Sequence, residues 1–442
     1  MVVHRRGPMP RRGGIVFRVN VLDDLRWRGL LYDRTEGLDQ VLATESVTAY
    51  IGFDPTASSL HVGSLLPIMG LARLQRFGHT PIALVGGGTG LIGDPSGKAT
   101  ERSLLTPEQV EANAEGIHRQ LERFLDFGAA RNPARMVNNA DWLGSISLLE
   151  FLRDTGKHFT VNYMMAKESV KRRLGSDDGL SFTEFSYQLL QAYDYLVLHD
   201  RFGCRLQAGG SDQWGNVVAG CDLIRRVRGT KAHGLVLPLV TTSAGTKFGK
   251  TEAGTVWLDP GRTSPFRFYQ FWMNSDDRDT VQFLRWFTFL SEPDIEAIGR
   301  AHNLSPEKRE AQRELARALT RTVHGDDGLS RAERASAVLF GGKLADADPA
   351  DILMVFDDVP SIDIPASAFV GDGLLVADAA VRASLVQSKG EAIRLIKQGG
   401  LYVNDRRVTE TENRVTDADM LGGAMLVLRK GQRERRVIRV ER

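Results

Sequence analysis

From residue 47 to residue 240 the chain alternates strand-like apolar runs with turns and helical patterns, and this alternation narrows its fold more than any other feature. "VTAYIGF" runs into a helical stretch from about Ser59 to Phe77, and "PIALVGG" opens a glycine-rich loop. "ARMVNNADW" precedes a helical pattern around "SLLEFLRD". "CRLQAGG" precedes "SDQWGNVVAGCDLIRRV", and "GLVLPLV" follows that. Strands regularly separated by helices predict an α/β fold, a parallel sheet with helices on both faces. The helix near Thr106 opens with a capping box, Thr106-Pro107-Glu108-Gln109, with proline at its first position.

The strand pattern stops near Ser264. "SPFRFYQFWMN", "DRDTVQFLRWFTFL", "SEPDIEAIG" and "SPEKREAQRELARALTRTVHG" read as helices with short breaks, so a helical domain is expected over 264–340. Charge then marks two further segments. Leu344 to Gly373 holds seven acids and no Lys or Arg, while Ser388 to Arg442 holds thirteen Lys or Arg against eight acids. An acidic linker over 341–374 and a basic α+β module over 375–442 follow, the latter facing a nucleic acid. Arg5, Arg6, Arg11, Arg12 and Arg18 stand without an acid in residues 1–20, which predicts a basic disordered extension. Two cysteines, Cys204 and Cys221, in no Cys-x-x-Cys pair, argue for a reducing compartment and against a zinc site. No apolar run approaches the roughly 20 residues of a membrane helix, so a cytoplasmic protein is expected.

Five stretches carry chemistry. "YIGFDPTASSLHVGS" lies at the end of a strand, where open α/β sheets bind ligands. There Thr56 and His61 can donate to phosphate oxygens, and Gly63 would let a nucleotide approach the backbone. Alone, this His-x-Gly fits a structural turn better than a binding site. "GGGTGLIGDPSGKATER" also follows a strand; its amides could cradle an anion, with Lys98 and Arg102 four residues apart beside it. "KFGKT" sets Lys247 and Lys250 three apart among small residues, a pattern common on surfaces. In "GGSDQW", Asp212 could accept from ribose hydroxyls or cap a helix. In "FTEFSYQLLQAYDYLVL", Tyr187, Gln191 and Asp194 stand at i, i+4 and i+7 of one helix face, a polar stripe suited to a small polar amino acid or to a solvated edge.

The order of "HVGS", "GDPSGK", "YQLLQAYD", "GGSDQ" and "KFGKT" resembles that of bacterial tyrosyl-tRNA synthetases, class I aminoacyl-tRNA ligases. "HVGS" looks like their HIGH signature and "KFGKT" like their KMSKS signature. "KGEAIRLIKQGGLYVND" is similar to the ribosomal-protein-type RNA-binding module that ends them. The resemblance implies a Rossmann-like catalytic domain over 21–263, a helical anticodon-region domain over 264–340 and an RNA-binding module over 375–442. It implies that Tyr50 and Asp194 hold the phenol hydroxyl of tyrosine, and that Asp94, Tyr187 and Gln191 hold its α-ammonium. Gly52, Asp54, Gly210, Asp212 and Gln213 match positions lining the tyrosine and adenosine subsites, with Gly63 and Ser64 beside them. Thr56 and His61 match contacts to the γ-phosphate, and Lys98, Arg102, Lys247, Lys250 and Thr251 match positions around the leaving pyrophosphate. L-tyrosine, ATP with Mg²⁺ and tRNA(Tyr) are the implied substrates, and a homodimer the implied assembly.

The implied reaction needs no general base, because the tyrosine carboxylate that attacks the α-phosphorus is already ionised. Catalysis would then rest on positioning and on stabilising charge at phosphorus. A site built to hydrogen-bond a phenol rejects phenylalanine by leaving buried polar groups unpaired. An indole, which only donates, suits such a site no better. Ser64 departs from the signature, standing where relatives place a second histidine. Serine keeps a donor with a shorter reach, which predicts a loss of about 1 kcal/mol rather than inactivity. The alternative from another class is a synthetase-like RNA-binding protein that no longer catalyses. A second is a nucleotidylyltransferase of related fold, which would not need the tyrosine stripe.

Overall fold

The computed structural model describes residues 20–94, 105–167, 170–171, 174–175, 179–243, 248–251, 254–339, 361–431 and 434–441. Packing divides the chain into two units: Met1–Thr255 with Val281–Ile295, and Val256–Thr280 with Glu296–Arg442.

A six-stranded sheet forms the frame of the first unit. Its strands are β1 (Asp33–Arg34), β2 (Thr48–Phe53), β3 (Thr80–Val85), β4 (Arg135–Asn138), β5 (Cys204–Gly210) and β6 (His233–Leu237), in the order β1-β6-β5-β2-β3-β4. β2 through β6 run parallel, as the alternation predicts, and the two-residue edge strand β1 pairs antiparallel to β6. The side chains of β3 and β6 are almost wholly buried, as befits strands covered on both faces. The chain proceeds from β2 to β3 on one side, while β5 lies on the other. The carboxyl ends of β2 and β5 therefore flank a topological switch point, where such sheets form their ligand crevice.

Helices α1 (Val21–Arg28), α2 (Leu65–Arg76), α3 (Pro107–Leu121), α4 (Phe182–Phe202) and α5 (Trp214–Arg228) belong to this unit. The expected helix over Ser59–Phe77 is shorter, a 3₁₀ turn at Val62–Ser64 followed by α2. The capping box at Thr106 is present, with Thr106 and Gln109 bonded reciprocally. α4 is capped by Ser181 and stops at Gly203, whose φ of 62° ends the helix in the left-handed region. It is tied to the sheet by the Tyr195 hydroxyl, which donates to the His233 carbonyl at 2.8 Å.

The boundary expected at 263/264 is not where the packing changes. Most of helix α6 (Asp277–Phe287) and the residues up to Ile295 belong to the first unit. Two buried arginines give the physical reason. Arg73 on α2 donates to the carbonyls of Arg285, Trp286 and Thr288, and Arg28 on α1 donates to those of Arg285, Thr288 and Leu290. Both guanidiniums also pair with Asp24. They satisfy carbonyls at the carboxyl end of α6 that have no helical partner. Burial lowers the pKa of Arg73 to about 9, so the cation persists at neutral pH.

The second unit contains the helices Pro265–Met273 and Glu310–Leu339, the latter broken at Gly325, where φ is 77°. Further along lies a five-stranded sheet in the order Arg406–Arg407, Leu401–Val403, Met425–Lys430, Glu434–Glu441, Ser361–Pro365. The last of these strands falls inside the span expected to be linker. It pairs in parallel with Glu434–Glu441, covering what would otherwise be an open edge, so the described module begins at residue 361 rather than 375. Residues 1–19 and 341–360 lie outside the described residues.

Candidate functional site

A cavity of about 360 Å³ opens at the carboxyl ends of β2 and β5. The stripe on α4 reaches it, and Tyr50, Gly52, Asp54, Thr56, His61, Gly63, Ser64, Asp94, Tyr187, Gln191, Asp194, Gly210, Asp212 and Gln213 all line it. Residues as far apart in sequence as Tyr50 and Gln213 therefore meet at one crevice. Lys98, Arg102 and Lys247 lie outside the described residues, as do the side chains of Lys250 and Thr251.

At one end of the cavity, Asp194 is buried and accepts from Trp142 Nε1 at 2.7 Å and from Asn139 Nδ2 at 2.9 Å. Burial raises its pKa from 3.8 to about 7 despite those two donors. Tyr50 is also buried, its ring 5.3 Å from that of Tyr195, and its hydroxyl has no hydrogen-bond partner among the described residues. A buried, unpartnered hydroxyl is costly, and its presence beside a cavity fits a ligand that completes it. Together the two residues offer a carboxylate acceptor and a hydroxyl that both gives and takes, which suits a phenol.

A polar chain runs along the wall. Gln213 Nε2 donates to Asp94 at 2.7 Å, Gln191 Nε2 donates to Gln213 Oε1 at 3.3 Å, and Asn216 Nδ2 donates to Gln191 Oε1 at 2.9 Å. Tyr187 is not joined to that chain; its hydroxyl donates to Asp54 at 3.3 Å. Burial, then neighbouring Asp94, raises the pKa of Asp212. Three carboxylates, Asp54, Asp94 and Asp212, thus line one crevice and favour a cationic ligand group. At Gly210 a Cβ would lie 2.6 Å from Asp212 Oδ1, so any side chain there would displace that carboxylate.

In the described part of the loop after β3, the amides from Gly86 to Gly93 are engaged within the protein; residues 95–102 of the segment lie outside the described residues. Gly86 donates to Phe53, Gly87 to the Asn138 side chain at 3.1 Å and Gly88 to the Asn139 side chain at 2.7 Å, while Gly90 to Gly93 bond within the loop. A Cβ at Gly63 would lie 2.7 Å from the His61 ring, so the glycine makes room for that histidine at the cavity wall. His61 Nδ1 accepts from the Gly63 amide at 3.0 Å, which leaves the proton of the neutral ring on Nε2 as a donor. Ser64 makes no capping bond with its side chain.

The "KFGKT" segment reaches the same turn. Phe248 is buried, stacked at 5.7 Å on Phe287 and edge-on at 5.2 Å to Phe283, both on α6. At Gly249, where φ is 82°, a Cβ would lie 2.9 Å from Val62. The two signature-like segments therefore abut.

Asn139, Trp142 and Asn216 are functional candidates that the sequence reading missed. A signal was present in "VNNADW", where two asparagines and a tryptophan stand at the carboxyl end of a strand. Asn139 is fully buried and uses both ends of its amide: the oxygen takes Gly88 N–H, and the nitrogen gives to Thr89 Oγ1 and Asp194.

Residues 42–341 match the model of the family described as tRNA synthetases class I (W and Y), and residues 351–438 match that of the Tyrosine–tRNA ligase SYY-like C-terminal domain. The Tyrosine–tRNA ligase of Roseiflexus castenholzii is 58% identical over 420 residues, covering 95% of this chain and 99% of that protein. That of Bacillus caldotenax is 51% identical over 426 residues, covering 95% and 100%. Among solved structures, a C-terminally truncated mitochondrial tyrosyl-tRNA synthetase of Aspergillus nidulans superimposes with a TM-score of 0.66 at 32% identity, over 73% of this chain and 95% of that one.

Proposed function

The chain belongs to the tyrosine–tRNA ligase family of class I tRNA synthetases, and from that premise we propose how its residues divide the reaction. The reaction activates L-tyrosine with ATP to tyrosyl-adenylate and pyrophosphate, then transfers tyrosyl to the 3′ end of tRNA(Tyr). Tyr50 and Asp194 receive the phenol hydroxyl. The observation that carries this assignment is the pairing of an unpartnered buried hydroxyl with a carboxylate held by two fixed N–H donors. Asp94, Tyr187 and Gln191 receive the α-ammonium, with Gln213 bonded to Asp94 and Gln191, and with the Tyr187 hydroxyl donating to Asp54 so that its oxygen can accept. Asp212 at the end of β5 takes the ribose, with Gly52 and Gly210 giving the nucleotide access.

With its two ends held, the tyrosine carboxylate is aimed at the α-phosphorus, and no proton has to leave it. Thr56 and the Nε2–H of His61 donate to the γ-phosphate as negative charge grows on the leaving pyrophosphate. Lys98, Arg102, Lys247, Lys250 and Thr251 complete that embrace, an assignment resting on the family likeness. Mg²⁺ arrives on the phosphate oxygens of ATP, where it neutralises charge. Among the described residues no group of three His, Cys, Asp or Glu is placed to hold a metal ion. Ser64→His is expected to speed adenylate formation by about five-fold, the value of one neutral hydrogen bond. A slower variant would show that position 64 acts otherwise.

The chain works as a homodimer in the cytoplasm. Leu149 and Phe182 are 80% and 77% exposed, and Leu148, Leu152 and Val161 are exposed as well, an apolar surface suited to a second copy. A monomeric mass in sedimentation equilibrium would refute the dimer. No described helix is long and apolar enough to cross a membrane. ATP–pyrophosphate exchange with tyrosine, phenylalanine or tryptophan, without tRNA, tests the site. Exchange with tyrosine alone is expected; equal exchange with phenylalanine would remove Tyr50 and Asp194 from their roles.

A further inference from the structure

Thr56 sits in a seven-residue connection, 54–60, between β2 and the turn that carries His61, and a segment of that kind does not hold a donor to a fraction of an ångström unaided. One face of α3 supplies the support. Asn113, Gly116, Ile117 and Gln120 are spaced i, i+3, i+4 and i+7, so they project along one line. Asn113 Nδ2 donates to the Pro55 carbonyl at 2.9 Å, immediately before Thr56. Gln120 uses both ends of its amide: Oε1 accepts from the Leu60 amide at 2.8 Å, and Nε2 donates to Ser59 Oγ at 2.9 Å. The Ser59 hydroxyl in turn donates to the Leu60 carbonyl at 2.7 Å. Between the two staples the backbones touch, since a Cβ on Gly116 would fall 2.1 Å from the Ser58 carbonyl oxygen. Ile117, 1% exposed, seals the contact.

The connection is thus fixed on both sides of Thr56, and the second staple ends one residue before His61. None of the three residues lines the cavity. We propose that Asn113, Gly116 and Gln120 are positioning residues for adenylate formation, acting through α3 to set the two phosphate donors. The proposal rests on the assignment of Thr56 and His61 to the γ-phosphate. Misplacing a catalytic group by about 1 Å costs up to roughly 10²-fold in rate, and loss of one staple allows a smaller shift, so an effect of about ten-fold is expected.

The test is a double-mutant cycle in the full-length protein, read by single-turnover formation of tyrosyl-adenylate. Gln120→Ala and Asn113→Ala, made separately, are expected to slow the step about ten-fold. The Kd for tyrosine should be unchanged, because tyrosine is held elsewhere in the cavity. Each is then combined with the pair Thr56→Ala and His61→Ala. With the donors already gone, removing a staple should cost less than about two-fold, a non-additivity that mere destabilisation would not produce. Equal losses in both backgrounds would overturn the proposal, as would weakened tyrosine binding. If the Thr56→Ala, His61→Ala variant alone kept the full rate, the assignment beneath the proposal would fail and take the proposal with it. That failure appears in a different variant and is distinguishable from the first. Two staple variants at separate positions guard against one failing to fold, and thermal melting checks both.

Discussion

Replacing Trp142 with phenylalanine isolates the role of one N–H. The ring and its place beneath Arg201, 5.7 Å away, are kept, while the 2.7 Å hydrogen bond to Asp194 Oδ1 is lost. A hydrogen bond to a charged group contributes about 1.5–3 kcal/mol, and one pKa unit corresponds to about 1.4 kcal/mol. The carboxylate therefore loses one to two units of support. Its titration should move from about 7 to roughly 8–9. The sign follows from which form binds: the ionised carboxylate accepts from the phenol, so affinity is present above the pKa and is lost as pH falls through it. In the parent protein, tyrosine affinity should fall below about pH 7. In the variant the decline should begin one to two units higher, with roughly five- to fifty-fold weaker binding at pH 7 and recovery toward pH 9. Equilibrium dialysis of tyrosine from pH 6 to pH 9 reads this directly. Superimposable profiles, or a shift to lower pH, would refute the view that Trp142 holds Asp194 in its accepting form.

Three further outcomes follow from the same geometry. Tyr50→Phe removes a buried hydroxyl that has no partner among the described residues, so thermal stability should hold or rise slightly; tyrosine should bind about five-fold more weakly and discrimination against phenylalanine should shrink. A fall in stability with unchanged discrimination would refute it. Phe248→Ala removes the ring seated on Phe283 and Phe287; adenylate formation should slow at least ten-fold while the Kd for tyrosine stays constant, by stopped-flow and dialysis respectively. Deleting residues 351–442 should leave pyrophosphate exchange within about two-fold, yet weaken tRNA binding with a shallower dependence on salt, by filter binding at several salt concentrations.

What was legible in the sequence was whatever lies close together along the chain. The period of Tyr187, Gln191 and Asp194 placed them on one helix face, and the strand-end turns located the crevice, because both follow from local geometry. Asn139 and Trp142 were missed because their meaning is nonlocal. Each meets Asp194 across more than fifty residues, and nothing in "VNNADW" says which carboxylate it will meet. The glycine-rich loop misled for a related reason. The amides of Gly87 and Gly88 looked available until Asn138 and Asn139, at the end of the next strand, took them. The boundary at 263 failed because α6 has the period of any amphipathic helix, while its allegiance is decided by Arg28 and Arg73, more than two hundred residues earlier.

That allegiance limits how such a chain can be recombined. The nucleotide-binding unit is not a contiguous cassette: it is interrupted after Thr255 and resumes at Val281 for fifteen residues, to Ile295. A splice at residue 263 would deliver a Rossmann-like core without the aromatic seat of Phe248, and with two buried guanidiniums facing no carbonyls. A cut after residue 295 would keep the first unit whole but would part helix Pro265–Met273 from helix Glu310–Leu339 in the second, so the two units have to be exchanged together across this stretch. Heritable exchange between relatives faces the same constraint, so crossovers that survive should be depleted across the interleaved stretch, from residue 255 to the end of helix Glu310–Leu339.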